Sequence, residues 1–213
     1  DTTGNWGAAL AGLGDWTPIS RMTFKNHGCC GHIFPTLDGL RALQAQHAFG
    51  PADIDGIEVE GYGPTASICD RLDVTTPQDA RFSVQYCVAA LLHMGAVRLA
   101  AFTPEALARA DLRAFMPKVR VVEDPEIAAA YPSRRQARLR VTLKDGSVLK
   151  HFQPTRKGDP DDPLTDAELV AKFDELAGLA VTQDDAARLR RCVMATDELP
   201  GSVPVHPANQ SAA

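Results

Sequence analysis

The chain has 213 residues, 45% of them apolar, and carries a formal net charge of −5 with a pI near 5.7. That length and apolar share suffice for a packed core in one large domain or two small ones. The acidic balance, with no basic stripe and no long block of like charge, argues against nucleic acid or a membrane surface as partner, so any anion site must be local.

The opening "DTTGNWGAALAGLGDW" has no strong helix cap and reads as a chain that begins in the middle of something. From Pro35 to Phe49, Leu37, Leu40, Leu43 and Ala48 fall near helical spacing, with Pro35 suited to a first turn and Gly50-Pro51 as the stop. "IDGIEVEGYG" then alternates Ile57 and Val59 with Glu58 and Glu60, as a half-buried strand does, and Gly61, Gly63 and Pro64 end it. "RFSVQYCVAALLHMGAV" is apolar almost all round and too short to cross a membrane, which predicts the buried helix of the core. Thr103-Pro104 opens a further short helix. "KVRVVED" and "ARLRVTLKDGSVLKHFQ" alternate as strands, the latter folding into a hairpin at Asp145-Gly146.

Beyond Pro154 the composition turns polar and proline-punctuated. "DAELVAKFDELAGLA" and "TQDDAARLRRCVMATDEL" follow as amphipathic helices with acidic first turns, and "PGSVPVHPANQSAA" reads as a disordered or surface-strapped end. Each helix has an apolar stripe that needs a partner, and that partner need not be in this chain. The expected fold class is α+β. No apolar run approaches the ~20 residues that span a bilayer, and no signal-like segment opens the chain.

The five cysteines, odd in number and with two adjacent, read as reduced thiols of a cytoplasmic protein rather than a secreted disulfide framework. The chemistry concentrates in "FKNHGCCGHIFPTLDG". Adjacent Cys29 and Cys30 lack zinc spacing and the Cys-x-x-Cys arrangement of redox pairs, so neither a metal nor a redox cofactor is expected. An anion-binding loop uses more of the residues. Gly28 and Gly31 would let the backbone of Cys29 and Cys30 present N–H groups, the next helix its positive end, and Lys25 and the histidines charge or protons. A plain helix-entry loop with a surface lysine and solvated histidines fits the same string. Arg81 can clamp a carboxylate, and Tyr86 can donate a proton or simply pack in the core with its hydroxyl satisfied.

Four strings in order, "FKNHGCCGHIFPTLDGL", "ARFSVQYCVAALLHMGAV", "ARLRVTLKDGS" and "KGDPDDPLTDAELVAKFDELA", resemble the C-terminal half of the MmgE/PrpD family, over about Trp16 to Leu179. Its members include 2-methylcitrate dehydratase, cis-aconitate decarboxylase and iminodisuccinate epimerase, all acting on small polycarboxylates. The resemblance implies a large all-helical domain, to which residues 1–19 and 155–213 would belong, and a smaller α+β lid domain over 20–154. Most of the helical domain would then lie on another chain or be missing, with a homo- or hetero-oligomer as the working unit.

The implied function is part of a polycarboxylate hydro-lyase of the 2-methylcitrate dehydratase kind; a family epimerase or decarboxylase, or a non-catalytic lid or interaction module, are the alternatives. Lys25 would neutralise a carboxylate or enolate, His32 would act as acid or base, and Tyr86, carried over from the family's Phe-Ser-x-x-Tyr string, would be a third catalytic group. Gly28, Cys29, Cys30, Gly31 and Arg81 would bind substrate. Many members place a histidine four residues before the aspartate matching Asp38; this chain has Phe34 there and His32 two residues earlier.

Overall fold

The computed structural model describes residues 4–15 and 18–194; the end of the chain read as disordered lies outside the described residues. The chain divides into two compact units, Asp1–Pro163 and Leu164–Ala213.

In the first unit the elements run α1 (Trp6–Leu10), α2 (Phe34–Gln46), β1 (Ile54–Gly61), α3 (Gly63–Cys69), α4 (Pro77–Arg81) and α5 (Val84–Met94). They continue through α6 (Pro104–Ala108), α7 (Ala110–Phe115), β2 (Val119–Glu123), α8 (Pro125–Ala130), β3 (Ala137–Leu143) and β4 (Val148–Gln153). The α+β class expected from the sequence is what the structure has.

The sheet has the order β2-β1-β3-β4, with β1 parallel to β2 and antiparallel to β3, and with β3 and β4 joined as the hairpin expected at Asp145-Gly146. Ile57, Val59, Val119, Leu139 and Val141 point inward and are buried. Their outward neighbours pair across strands instead, Glu58 with Arg120 and Glu60 with Arg138, so this face is solvated. Helix α2 lies on β3 and β4, and α5 packs against α2 and β2. Every residue of α5 from Val84 to Leu92 is buried, and its Val and Leu side chains each contribute ~1.5–3 kcal/mol. Gly39 is where α2 touches the sheet. A Cβ there would lie 2.6 Å from Leu139 Cδ1 and 3.2 Å from His151 Cδ2, so a larger residue would require the buried Leu139 side chain to move.

Three helix boundaries differ from the sequence expectation, each for a local reason. Helix α2 stops at Gln46, because His47 turns to extended backbone (φ −134°, ψ 134°) ahead of a turn that the Asp53 carboxylate closes on the Gly50 N–H. The core helix begins at Val84 rather than Arg81, since Ser83 caps it by accepting the Tyr86 N–H. The segment after Thr103 breaks into α6 and α7 at Arg109, whose extended backbone (φ −61°, ψ 121°) interrupts the helix.

The second unit holds α9 (Asp166–Ala177) and α10 (Gln183–Met194). Thr165 and Glu168 form a capping box at the start of α9, and Arg190 of α10 pairs with Asp174 of α9. No residue of α9 is fully buried, and Leu176, Leu179, Val193 and Met194 are exposed. Among the described residues no helix is long and apolar enough to cross a membrane.

Candidate active site

The stretch from Thr23 to Asp38 is pinned from three sides. Phe24 N–H donates to the Gly158 carbonyl (2.9 Å), Gly28 N–H to Val97 (2.7 Å) and Cys30 N–H to Arg81 (2.8 Å). The buried His27 ring places Nε2 3.0 Å from Asp38 Oδ1 and sets its edge against Phe34. The other Asp38 oxygen accepts the Lys157 N–H at 2.8 Å. One aspartate on α2 thus ties the loop to the segment after β4.

That segment supplies a second brace. Arg156, buried, donates to both Asp159 oxygens (2.9 and 2.6 Å), to Thr23 Oγ1 and to the Gly31 carbonyl (3.4 Å). A Cβ on Gly31 would meet Arg156 Nη1 at 2.9 Å, so the glycine keeps room for the guanidinium. A carboxylate, a hydroxyl and a carbonyl around one cation leave its donors largely satisfied.

On this scaffold His32 stands half-buried, with Nδ1 3.0 Å from the Tyr62 hydroxyl at the end of β1. Tyr62 stacks on Tyr131 (centroids 4.7 Å apart), and the Arg135 guanidinium lies 5.9 Å from the Tyr131 ring. Burial, then the positive charges of Arg135, Arg156 and Lys25, hold the His32 imidazole below its ordinary 6.5. The ring is therefore neutral at pH 7 and has a lone pair to offer. Burial pushes the Tyr62 hydroxyl well above the usual phenol range, so it keeps its proton.

Beside the histidine, the Cys30 thiol is drawn down to about 6. The chief cause is a hydrogen bond from Cys69, assisted by the His32 N–H and by Lys25 and Arg156, against the opposing effect of burial. Cys69, which donates that bond from a buried position, is pushed up and stays protonated. Lys25 is exposed, its Nζ 3.5 Å from the Cys29 carbonyl.

The structure thus brings Lys25, Cys30, Gly31 and His32 into one neighbourhood and puts the other expected site residues to different uses. Tyr86 is fully buried and donates its hydroxyl to the Ala101 carbonyl at 2.6 Å, with burial raising it to about 12. The tyrosine that meets His32 is Tyr62. Arg81 sets its guanidinium 4.9 Å from the Phe102 ring and contributes its carbonyl to the loop. Cys29 is buried beside Cys87. The N–H groups of Gly28 and Cys30 already serve protein carbonyls, so these two are not open to a ligand.

Tyr62, Tyr131, Arg135 and Arg156 escaped the sequence reading. For Tyr131 and Arg135 the one visible signal was a polar cluster of tyrosine, serine and arginine in "YPSRRQ", between two segments otherwise read as regular structure; Tyr62 and Arg156 had none. Among the described residues no group of three or more His, Cys, Asp or Glu is arranged to hold a metal ion.

Comparison with curated proteins gave no match. The family model described as the MmgE/PrpD C-terminal domain matches residues 27–198, a span that contains His32, Tyr62, Arg135 and both helices of the second unit. The chain belongs to the MmgE/PrpD family and represents its C-terminal portion.

Proposed function

We propose that this chain carries the lid-side half of the active site of a polycarboxylate hydro-lyase resembling 2-methylcitrate dehydratase. The observation that carries the reading is a neutral, half-buried His32 backed by the Tyr62 hydroxyl and flanked by Lys25, in a chain of this family.

Elimination of water from a hydroxy-polycarboxylate breaks a C–H bond beside a carboxylate and a C–O bond on the next carbon. The electron pair forms the double bond and the hydroxyl leaves as water. With hydrogen on Nδ1, His32 donates to the Tyr62 oxygen and presents the Nε2 lone pair to take the carbon-bound proton. Tyr62, buried, is a positioning residue that holds the ring by accepting from this tautomer; it does not touch substrate. Lys25 meets the carboxylate on which charge builds as the proton leaves, an electrostatic contribution that grows toward the transition state.

In this reading the acid that protonates the leaving hydroxyl comes from a helical domain outside the described residues. The exposed Trp6, Leu10 and Leu13 and the exposed leucines of α9 and its following turn support residues 1–19 and 155–213 as parts of that domain. The first test is to purify the natural protein, identify any helical polypeptide that accompanies it, and assay water loss from 2-methylcitrate alongside cis-aconitate decarboxylation and iminodisuccinate epimerisation. Turnover of 2-methylcitrate supports the hydro-lyase reading; turnover of one of the others alone replaces it.

A further inference from the structure

A second cationic feature lies beside the site without being lined by Lys25, Cys30 or His32. It is a cleft of about 250 Å³ whose walls include Arg21, Arg134, Arg135 and Arg156, with Asp159 and Asp161 as its acidic members and the hydroxyls of Thr23, Ser133 and Thr155 between them. Asp159 is already held by Arg156 and Thr23. Among the described residues Arg21, Arg134 and Arg135 form no ion pair, so the cleft keeps an excess of positive charge in a chain whose net charge is −5.

Three guanidinium groups with hydroxyls between them match the oxygens of a phosphate or a carboxylate, which arginine binds through paired N–H donors. The volume is below the ~300–1,000 Å³ of pockets that hold drug-sized ligands, which limits the occupant to a small ion. The cleft is also in contact with the histidine by two routes. Arg135 lies on Tyr131, Tyr131 stacks on Tyr62, and Tyr62 bonds His32; Arg156 bonds the carbonyl of Gly31, next to His32 in the chain.

We propose that this cleft binds a small, multiply charged oxyanion, a phosphate or a tricarboxylate, and that its occupancy is sensed at His32 through Arg135 and the Tyr131–Tyr62 stack. The groups that face His32 are Tyr62 just after β1 and Thr65 from α3, Tyr131 and Arg135 after α8, Arg156 after β4, and Lys25 and Cys30 from its own loop. The cations among them disfavour the imidazolium. An anion that neutralises Arg135 removes part of that penalty and lets the ring hold its proton to higher pH. Anion level would then set the fraction of His32 available as a base. The binding itself does not depend on the hydro-lyase reading; only its consequence for turnover does.

The test follows the His32 ring nitrogens by NMR in the full chain labelled with ¹⁵N-histidine, titrated with pH in inorganic phosphate and in sodium chloride of equal ionic strength, with no substrate. Phosphate is expected to raise the His32 midpoint saturably where chloride does not. The Arg134→Gln/Arg135→Gln double variant is expected to need at least ten-fold more phosphate for the same shift. The Arg135→Gln variant alone is expected to start from a higher midpoint in chloride, while a dispersed, wild-type-like amide spectrum of the same sample shows that the variant is folded. Citrate in place of phosphate separates the two sources: the anion that saturates at lower concentration is the class the cleft takes. If neither anion shifts the midpoint saturably, or if the double variant responds as the wild type does, the cleft is not such a site. Because no turnover is measured, that failure leaves the proposed activity untouched, and an inactive but phosphate-responsive protein would do the reverse.

Discussion

His32 Nδ1 and the Tyr62 hydroxyl lie 3.0 Å apart, joining a loop residue to the end of β1 across 30 positions of sequence. The contact holds the ring in place; in the proposed mechanism Nδ1 carries the hydrogen and donates to the Tyr62 oxygen, which leaves Nε2 with the lone pair. Replacing Tyr62 by Phe keeps the ring stack on Tyr131 and deletes only the oxygen. The expected result is a fall of about 10²-fold in kcat/KM, within the range typical of acid-base catalysis, with an altered acid limb of the pH profile. Thermal unfolding of the same variant should show a loss of about 1 kcal/mol, the net worth of one hydrogen bond.

Cys30 supplies a prediction that needs no substrate. Its thiol is drawn to about 6, so the rate of alkylation by iodoacetamide should rise through pH 6 and level off by pH 7, where an ordinary cysteine is still mostly unreactive. Lys25→Gln removes one of the stabilising charges and should move that midpoint upward. A midpoint near the free-thiol value of about 8.5 would show that Cys69 does not stabilise the thiolate.

The depressed proton affinity of His32 also shapes stability. In the unfolded chain a histidine takes its proton at about 6.5, whereas in the folded chain burial and Arg135, Arg156 and Lys25 delay it to lower pH. Between those two values the unfolded state holds more protons, so stability falls as the pH drops through the window and is unaffected by this group above it. In His32→Gln this component is absent. Denaturant unfolding at pH 7 and pH 5 should therefore show a smaller drop for the variant than for the wild type.

The brace beneath the loop can be tested by removing His27. Its imidazole is buried and bonded to Asp38, whose other oxygen holds the Lys157 N–H. His27→Ala leaves an Asp38 oxygen without that partner and should destabilise the first unit by about 1–3 kcal/mol, read as a shift in the denaturation midpoint. Hydrogen exchange at Lys157 should quicken in the same variant, since the bond it makes to Asp38 is no longer held in register.

Much of the scaffold was legible in the sequence because its signals are local. The alternation of Ile57 and Val59 with Glu58 and Glu60 gave β1 its buried and solvated faces, and Asp145-Gly146 marked the hairpin. The short helices α4 and α8 were missed, although each begins with a cap followed by proline, Thr76-Pro77 with Asp79 closing a capping box and Asp124-Pro125. Long-range partners leave no such trace. That Tyr62 rather than Tyr86 reaches His32 depends on the parallel pairing of β1 with β2, which sets where β1 ends, and on the burial of α5, which commits Tyr86 to the Ala101 carbonyl. Likewise "PTRKGDPDDP" shows a lysine and acidic residues, but nothing in it says that Arg156 returns to Gly31 and Thr23.

Lys25 and His32 are proposed to act together on a carboxylate-bearing substrate. The most direct test is the rate of water loss from 2-methylcitrate by the natural protein, with its accompanying polypeptide, compared with His32→Gln and Lys25→Ala variants that unfold at the wild-type midpoint. The account predicts that each variant loses at least 10²-fold in kcat/KM, with His32→Gln acting mainly on kcat. Variants that turn over at the wild-type rate would contradict it.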